Sequence, residues 1–244
     1  MEILGFPADL HIHSALSPCA EREMNPPHIF RHAIELGIEV IAITDHNSTA
    51  NLPAFMSDPP KGLWVIPGME LQTKEEVHLL CLFPTLAAAM DFGQTVDRHL
   101  PDLAGRLHQA FGEQTKVNRF GEKVGEEQKL LLVSTDFSLS EAFAQVAFFH
   151  GITYPAHADR PAFGILGQLG FIPSDLPVKT VEISAHLNCT AGRGLFPGFQ
   201  LVQSSDAHRL AEMGRGCSML RMARPCWEEF MAAVSGGNGR AIEI

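Results

Sequence analysis

Short apolar, β-rich runs recur along the chain at Ala8–Ile12, Glu39–Thr44, Leu63–Ile66, Val77–Phe83, Ile152–Ala156, Thr180–Ser184, Gln200–Gln203, Ser218–Arg221 and Arg240–Ile244. Most are near-continuously apolar rather than alternating, which predicts strands buried on both faces. Between the first two lies NPPHIFRHAIELG, with Asn25 as N-cap, Pro26 and Pro27 in the first turn and Gly37 as the stop. Helical patterns also occupy Leu86–Leu100, Ser140–Phe149, Ala162–Leu169 and Pro225–Val234. Strands alternating with helices predict a parallel α/β architecture, closed into a distorted barrel. One stretch breaks the rhythm: GEQTKVNRFGEKVGEE, residues 112–127, is polar and glycine-punctuated, and predicts an inserted hairpin or loop, a candidate lid. No interdomain linker or repeat interrupts the pattern, so residues 1–244 are expected to form a single domain.

Composition narrows this picture only slightly. Hydrophobic residues at 45% and charged residues at 19% suit an ordinary globular core. A formal net charge of −10 argues against an extended nucleic-acid surface or an anionic-membrane surface, while leaving room for bound cations to invert the field in one cleft. No secretory leader and no long apolar span is evident, so a cytoplasmic location is expected. The five cysteines are odd in number and lack CxxC spacing, which suits reduced thiols.

Candidate chemistry begins at ADLHIH, where His11 and His13 end the first strand. With 12 histidines, roughly 0.6 H-x-H pairs arise by chance, so the pair decides nothing alone. Other strand ends carry residues of the same kind: Asp45 and His46 in AITDHN, Glu70 in IPGMEL, His78 in EEVHLL, His157 in PAHADRP, Asp206 and His208 in SSDAH. In a barrel of parallel strands the C-terminal ends share one mouth, so these distant residues can meet. Imidazole and carboxylate donors suit zinc, manganese or iron, and their number exceeds the needs of one ion, with Glu70 able to bridge two. Asp9 and Asp45 are candidates for orienting ligand imidazoles, and Asp45 for touching a metal itself. Arg160 is either a clamp for a substrate phosphate or a surface salt bridge. His28 and His32 are expected on the outer surface of a helix, and His99, His108, His150 and His186 are read as structural.

The motifs DLHIHS, AITDHN, IPGMEL, PAHADRP and SSDAH, in this order, resemble those of the polymerase and histidinol phosphatase (PHP) superfamily of phosphoesterases. The resemblance implies a distorted seven-stranded (β/α) barrel with two or three divalent transition-metal ions at its mouth. By motif, His11, His13, Glu70 and Asp206 would hold the first ion, Glu70 would bridge to a second held by His78 and His157, and His46 and His208 would hold a third. Cys19 stands where family members commonly carry a histidine; it is either a thiolate ligand or a buried bystander.

With neither a P-loop nor a Ser-His-Asp arrangement, the nucleophile is expected to be a metal-bound hydroxide. Glu70, Asp206 and Arg160 are the candidate catalytic residues. The function expected is phosphoester hydrolysis in a small phosphorylated metabolite or nucleotide. Two alternatives are a non-catalytic metal-binding module and amidohydrolase-type hydrolysis; the latter usually uses a carboxylated lysine where Glu70 stands here.

Overall fold

The computed structural model describes residues 2–103 and 111–244, so His108 lies outside the described residues. The elements are β1 (Leu4–Ile12), α1 (Pro26–Glu35), β2 (Val40–Ile43), α2 (Leu52–Met56), β3 (Trp64–Gln72), β4 (His78–Leu82), α3 (Leu86–His99), β5 (Thr115–Val117) and β6 (Lys123–Glu126). They continue with α4 (Leu139–Phe148), β7 (Ile152–Pro155), α5 (Ile165–Leu169), β8 (Thr180–Ile183), α6 (Cys189–Leu195), β9 (Gln200–Gln203), β10 (Ser218–Met222), α7 (Trp227–Val234) and β11 (Ala241–Glu243). The helices start where local chemistry allows: Asn25 accepts the His28 amide at the head of α1. At α4, Ser138 and Glu141 form a reciprocal capping box.

Seven strands form one curled sheet in the order β11-β10-β1-β2-β3-β4-β7, and β8 and β9 form a separate parallel pair. An isolated parallel bridge from Ile12 to Ala207 ties the chain after β9 back to β1. The α/β class and the distorted barrel are as the pattern implies, but the sheet is mixed rather than parallel throughout. β1, β2 and β3 run parallel, whereas β4 is antiparallel to both β3 and β7, and β10 to both β1 and β11. Residues 73–77 are too few for a crossover helix, so β4 returns as a hairpin.

Two apolar clusters divide the strands by side-chain parity. Ala8, Leu10, Val40, Ala42, Ile66, Leu80, Leu82 and Tyr154 pack inside the curl. Ile12, Ile41, Ile43, Val65, Leu79, Cys81 and Val181 face the helices, against Ile29, Phe30, Phe55 and Phe92. Alternation then assigns Glu70 and His78 to the inner face, in line with Ile66 and Leu80. Residues 112–127 include the antiparallel pair β5-β6, anchored by the buried Asn51, which donates to Thr115 O at 3.0 Å and accepts from Val117 N at 2.9 Å.

Candidate metal centre

The register of β1 decides where its two histidines point. Pairing with β2 runs Ala8↔Val40, Asp9↔Ile41 and then Ile12↔Ile43, so one extra residue enters β1 between Asp9 and Ile12. This bulge sends Ile12 to the outer cluster and leaves both His11 and His13 on the inner face. His46 follows β2, His157 follows β7, Asp206 and His208 follow β9, and Glu70 lies near the C-terminal end of β3. His78 opens β4, opposite Gln72, so the antiparallel strand delivers its first residue to the same mouth.

Glu70 is the centre of the arrangement. Its Oε1 lies 2.8 Å from His78 Nδ1, 2.9 Å from His157 Nε2 and 3.4 Å from His11 Nε2. Its Oε2 lies 2.9 Å from His46 Nδ1 and 3.4 Å from His13 Nε2. Asp206 Oδ1 is 3.1 Å from His13 Nε2 and 3.3 Å from His11 Nε2, and those two imidazole nitrogens are 3.1 Å apart. The His208 ring stacks on His13 at 4.1 Å. Donor atoms within 4.8 Å of one another form three groups among the described residues: His11, His13, Glu70 and Asp206; His46, Glu70 and His78; His13, His46 and His208. The backbone is strained around them, with positive φ at Asn47, His157, Phe163 and Asp206.

Electrostatics polarises the cluster. Burial alone would raise the Glu70 carboxyl, yet His78, His11 and His46 hold it well below the usual range. Against burial, Asp206 and Glu70 lift His13 to about 9, while burial takes His46 down to about 4 and His208 to about 3. Ionised carboxylates thus face a mixture of charged and neutral imidazoles.

Three expectations need correction. Asp9 does not orient an imidazole: on the other side of the bulge from His11, it accepts the Ser205 and Gly214 amides at 2.9 and 3.2 Å, and burial pushes it up to about 6. Asp45 sits one layer back, accepting from Ser14 N at 2.7 Å, Ser14 Oγ at 2.6 Å and Ser17 Oγ at 2.7 Å; it reaches His13 only through Ser17, whose Oγ is 2.9 Å from His13 Nδ1. Cys19 is exposed at the rim, not buried, and stands outside the three donor groups. His99, read as structural, pairs with Asp136 at 2.6 Å, away from the cluster.

Arg160 donates to Asp206 Oδ2 at 2.6 Å, at the edge of the cluster. Of the other histidines set aside, His32 pairs with Glu35 on the surface of α1, while the His28 Nδ1 is buried without a partner. The sequence reading missed Glu182. On β8, between the outward-facing Val181 and Ile183, it points inward, accepting from His11 Nδ1 at 3.0 Å and from the His157 amide at 2.9 Å. The available signal was a lone carboxylate inside an apolar strand.

A curled α/β sheet that gathers imidazoles and carboxylates at one edge defines the barrel class of metal-dependent hydrolases. The chain belongs to the PHP domain family, whose model matches residues 9–144. Over 80 residues, 30% of this chain and 26% of the relative, it is 32% identical to the 5′-3′ exoribonuclease Rnm of Salmonella typhimurium. PfuEndoQ, a lesion-specific endonuclease from Pyrococcus furiosus, shares its fold with a TM-score of 0.75 at 19% identity, over 98% of this chain and 58% of that one. An endonuclease Q bound to a 27-mer duplex with an abasic lesion at its active site gives 0.72, also at 19% identity. The chain spans just over half the length of the endonuclease Q chains and about a quarter of the exoribonuclease.

These relatives overturn the expectation of no extended nucleic-acid surface, because the exoribonuclease and the endonuclease Q complex act on nucleic acids. Net charge sums the whole surface and does not report the field at one mouth, which here sets Arg160, Arg209 and Arg215 beside Asp206 and Glu212. Among the described residues no helix is long and apolar enough to cross a membrane.

Proposed function

We propose that the chain hydrolyses phosphodiester bonds of nucleic acid, using two or three divalent ions of zinc, manganese or iron held at the mouth. The observation that carries the reading is Glu70, a buried carboxylate set among five imidazoles, whose Oε2 has no aligned hydrogen-bond donor. A bridging carboxylate fits that environment, and the close approach of the His11 and His13 nitrogens suits a shared cation better than a hydrogen bond. In this reading His11, His13, Glu70 and Asp206 hold one ion, Glu70, His78 and His157 a second, and His46 and His208 a third. Cys19 is left at the rim as a neighbour of that third site.

Bound there, divalent ions would acidify coordinated water and neutralise charge on the phosphoryl oxygens. The protein's own groups supply position. Glu182 fixes the tautomer and orientation of His11 through Nδ1. Arg160 keeps its fork at the cluster through Asp206, with further N–H groups available to a non-bridging phosphate oxygen.

The test is turnover of 5′-phosphorylated single-stranded RNA and DNA by metal-loaded protein. Chelation should abolish cleavage and re-addition of one of the three metals restore it. Glu70→Gln should lower kcat by about a hundredfold or more with the far-UV spectrum unchanged, since it removes the bridging charge but little of the shape. His28→Ala, on α1, should be neutral. Wild-type turnover by metal-loaded Glu70→Gln would falsify the bridging role.

A further inference from the structure

One loop, AHADRPAFG, carries His157, Arg160 and Phe163 from β7 into α5. Phe163 is held at φ +61°, a left-handed conformation that is costly for a bulky aromatic residue. Its carbonyl accepts the His78 amide at 2.9 Å, and its ring lies flat on the His78 imidazole at 4.5 Å, tilted by 13°. Even so, 38% of Phe163 is exposed. His78 covers one ring face, and Phe163 is among the residues lining a cavity of about 400 Å³. Phe111 and Leu132 contribute further apolar lining to this cavity, and its floor includes Glu70, His78, His157 and Arg160. An apolar, aromatic wall therefore adjoins the polar cluster within one cavity.

We propose that Phe163, with Phe111 and Leu132, forms a stacking subsite for the nucleobase of the nucleotide whose phosphate sits at the cluster. This rests on the phosphodiesterase reading above and adds the substrate feature it recognises. The strained backbone and the ring stacked on His78 occur at the same residue, beside the cluster. Every nucleobase has a π-face, so the subsite accepts purines and pyrimidines alike and discriminates a base from its absence. The proposed phosphate clamp Arg160 lies three residues away on the same loop and lines the same cavity, which ties phosphate and base positions together.

The experiment compares a 5′-phosphorylated dinucleotide with its abasic counterpart, and follows 2-aminopurine fluorescence in a slowly cleaved phosphorothioate version. Wild type should quench the 2-aminopurine on binding and prefer the base-bearing substrate. Phe163→Ala should raise KM for that substrate by about 5- to 150-fold, the range expected for the loss of one base stack. It should cost the abasic substrate far less than the base-bearing one, with the far-UV spectrum showing that the variant folds, and it should abolish quenching. Phe163→Tyr should retain both signals, and Phe111→Ala should weaken both. Equal losses on both substrates would mean that Phe163 merely covers His78, and the subsite would be refuted. Quenching without cleavage by metal-loaded wild type would support the subsite and sink the hydrolytic reading, whereas neither signal would sink both.

Discussion

At the scale of single residues, the cluster depends on a partner that no motif advertises. Glu182 holds His11 Nδ1 and the His157 amide with one carboxylate oxygen, so it sets one imidazole ring and the backbone that carries another. Glu182→Gln should therefore weaken metal affinity by about tenfold without unfolding the chain, the lower end of what outer partners of metal ligands contribute. Competition against a chromophoric chelator reads this directly, and unchanged affinity would remove Glu182 from the machinery. The ligand types themselves were visible, because histidines and carboxylates at successive strand ends leave a pattern. Which way each one points was not: Asp9 and His11 are two residues apart, and only the extra residue in β1 separates their surroundings.

At the scale of elements, the C-terminal helix α7 is fastened to the approach to β11 by one ion pair. Glu229 accepts from Arg240 Nε at 2.9 Å and Nη2 at 2.8 Å, and from the Ala223 amide at 2.8 Å. Arg240, then Ala223, hold the Glu229 carboxyl down at about 2, against an ordinary value of 4.5. A depressed carboxylate stabilises the fold fully above the ordinary value, and that contribution drains away as pH falls from about 4.5 towards 2. Urea unfolding across that window should show a steeper acid decline for wild type than for Glu229→Gln; superimposable curves would disprove the linkage. Strands and helices with strong punctuation were legible from periodicity. The short α2 and α6 were not, nor was the antiparallel return of β4, because strand direction is set by the length of the connection and by what the neighbouring edge can pair with.

For the whole molecule, a net charge of −10 and the nucleic-acid substrate proposed above are compatible only if the attraction is local. Three arginines, Arg160, Arg209 and Arg215, line the mouth, paired with Asp206, Glu21 and Glu212, so phosphates would have to compete with those carboxylates for them. Single-strand binding should therefore weaken with salt along a shallow log–log slope of about −2, three phosphates at roughly −0.7 each. Arg209→Ala should flatten it by about 0.7, as measured by fluorescence anisotropy across a salt series. A slope several times steeper would mean a far wider surface than this mouth. From its residues alone the chain specified the α/β alternation, the run of metal-binding residue types and the family to which they belong, since these are local properties of spacing and composition. The tertiary structure alone decided the bulge that turns His11 and His13 inward, the pairing that lets an antiparallel strand present His78, the inward-facing Glu182, and the strained Phe163 beside the cluster. Each of these follows from what a backbone meets in space, and contacts between residues 171 positions apart, such as His11 and Glu182, leave no mark on local pattern.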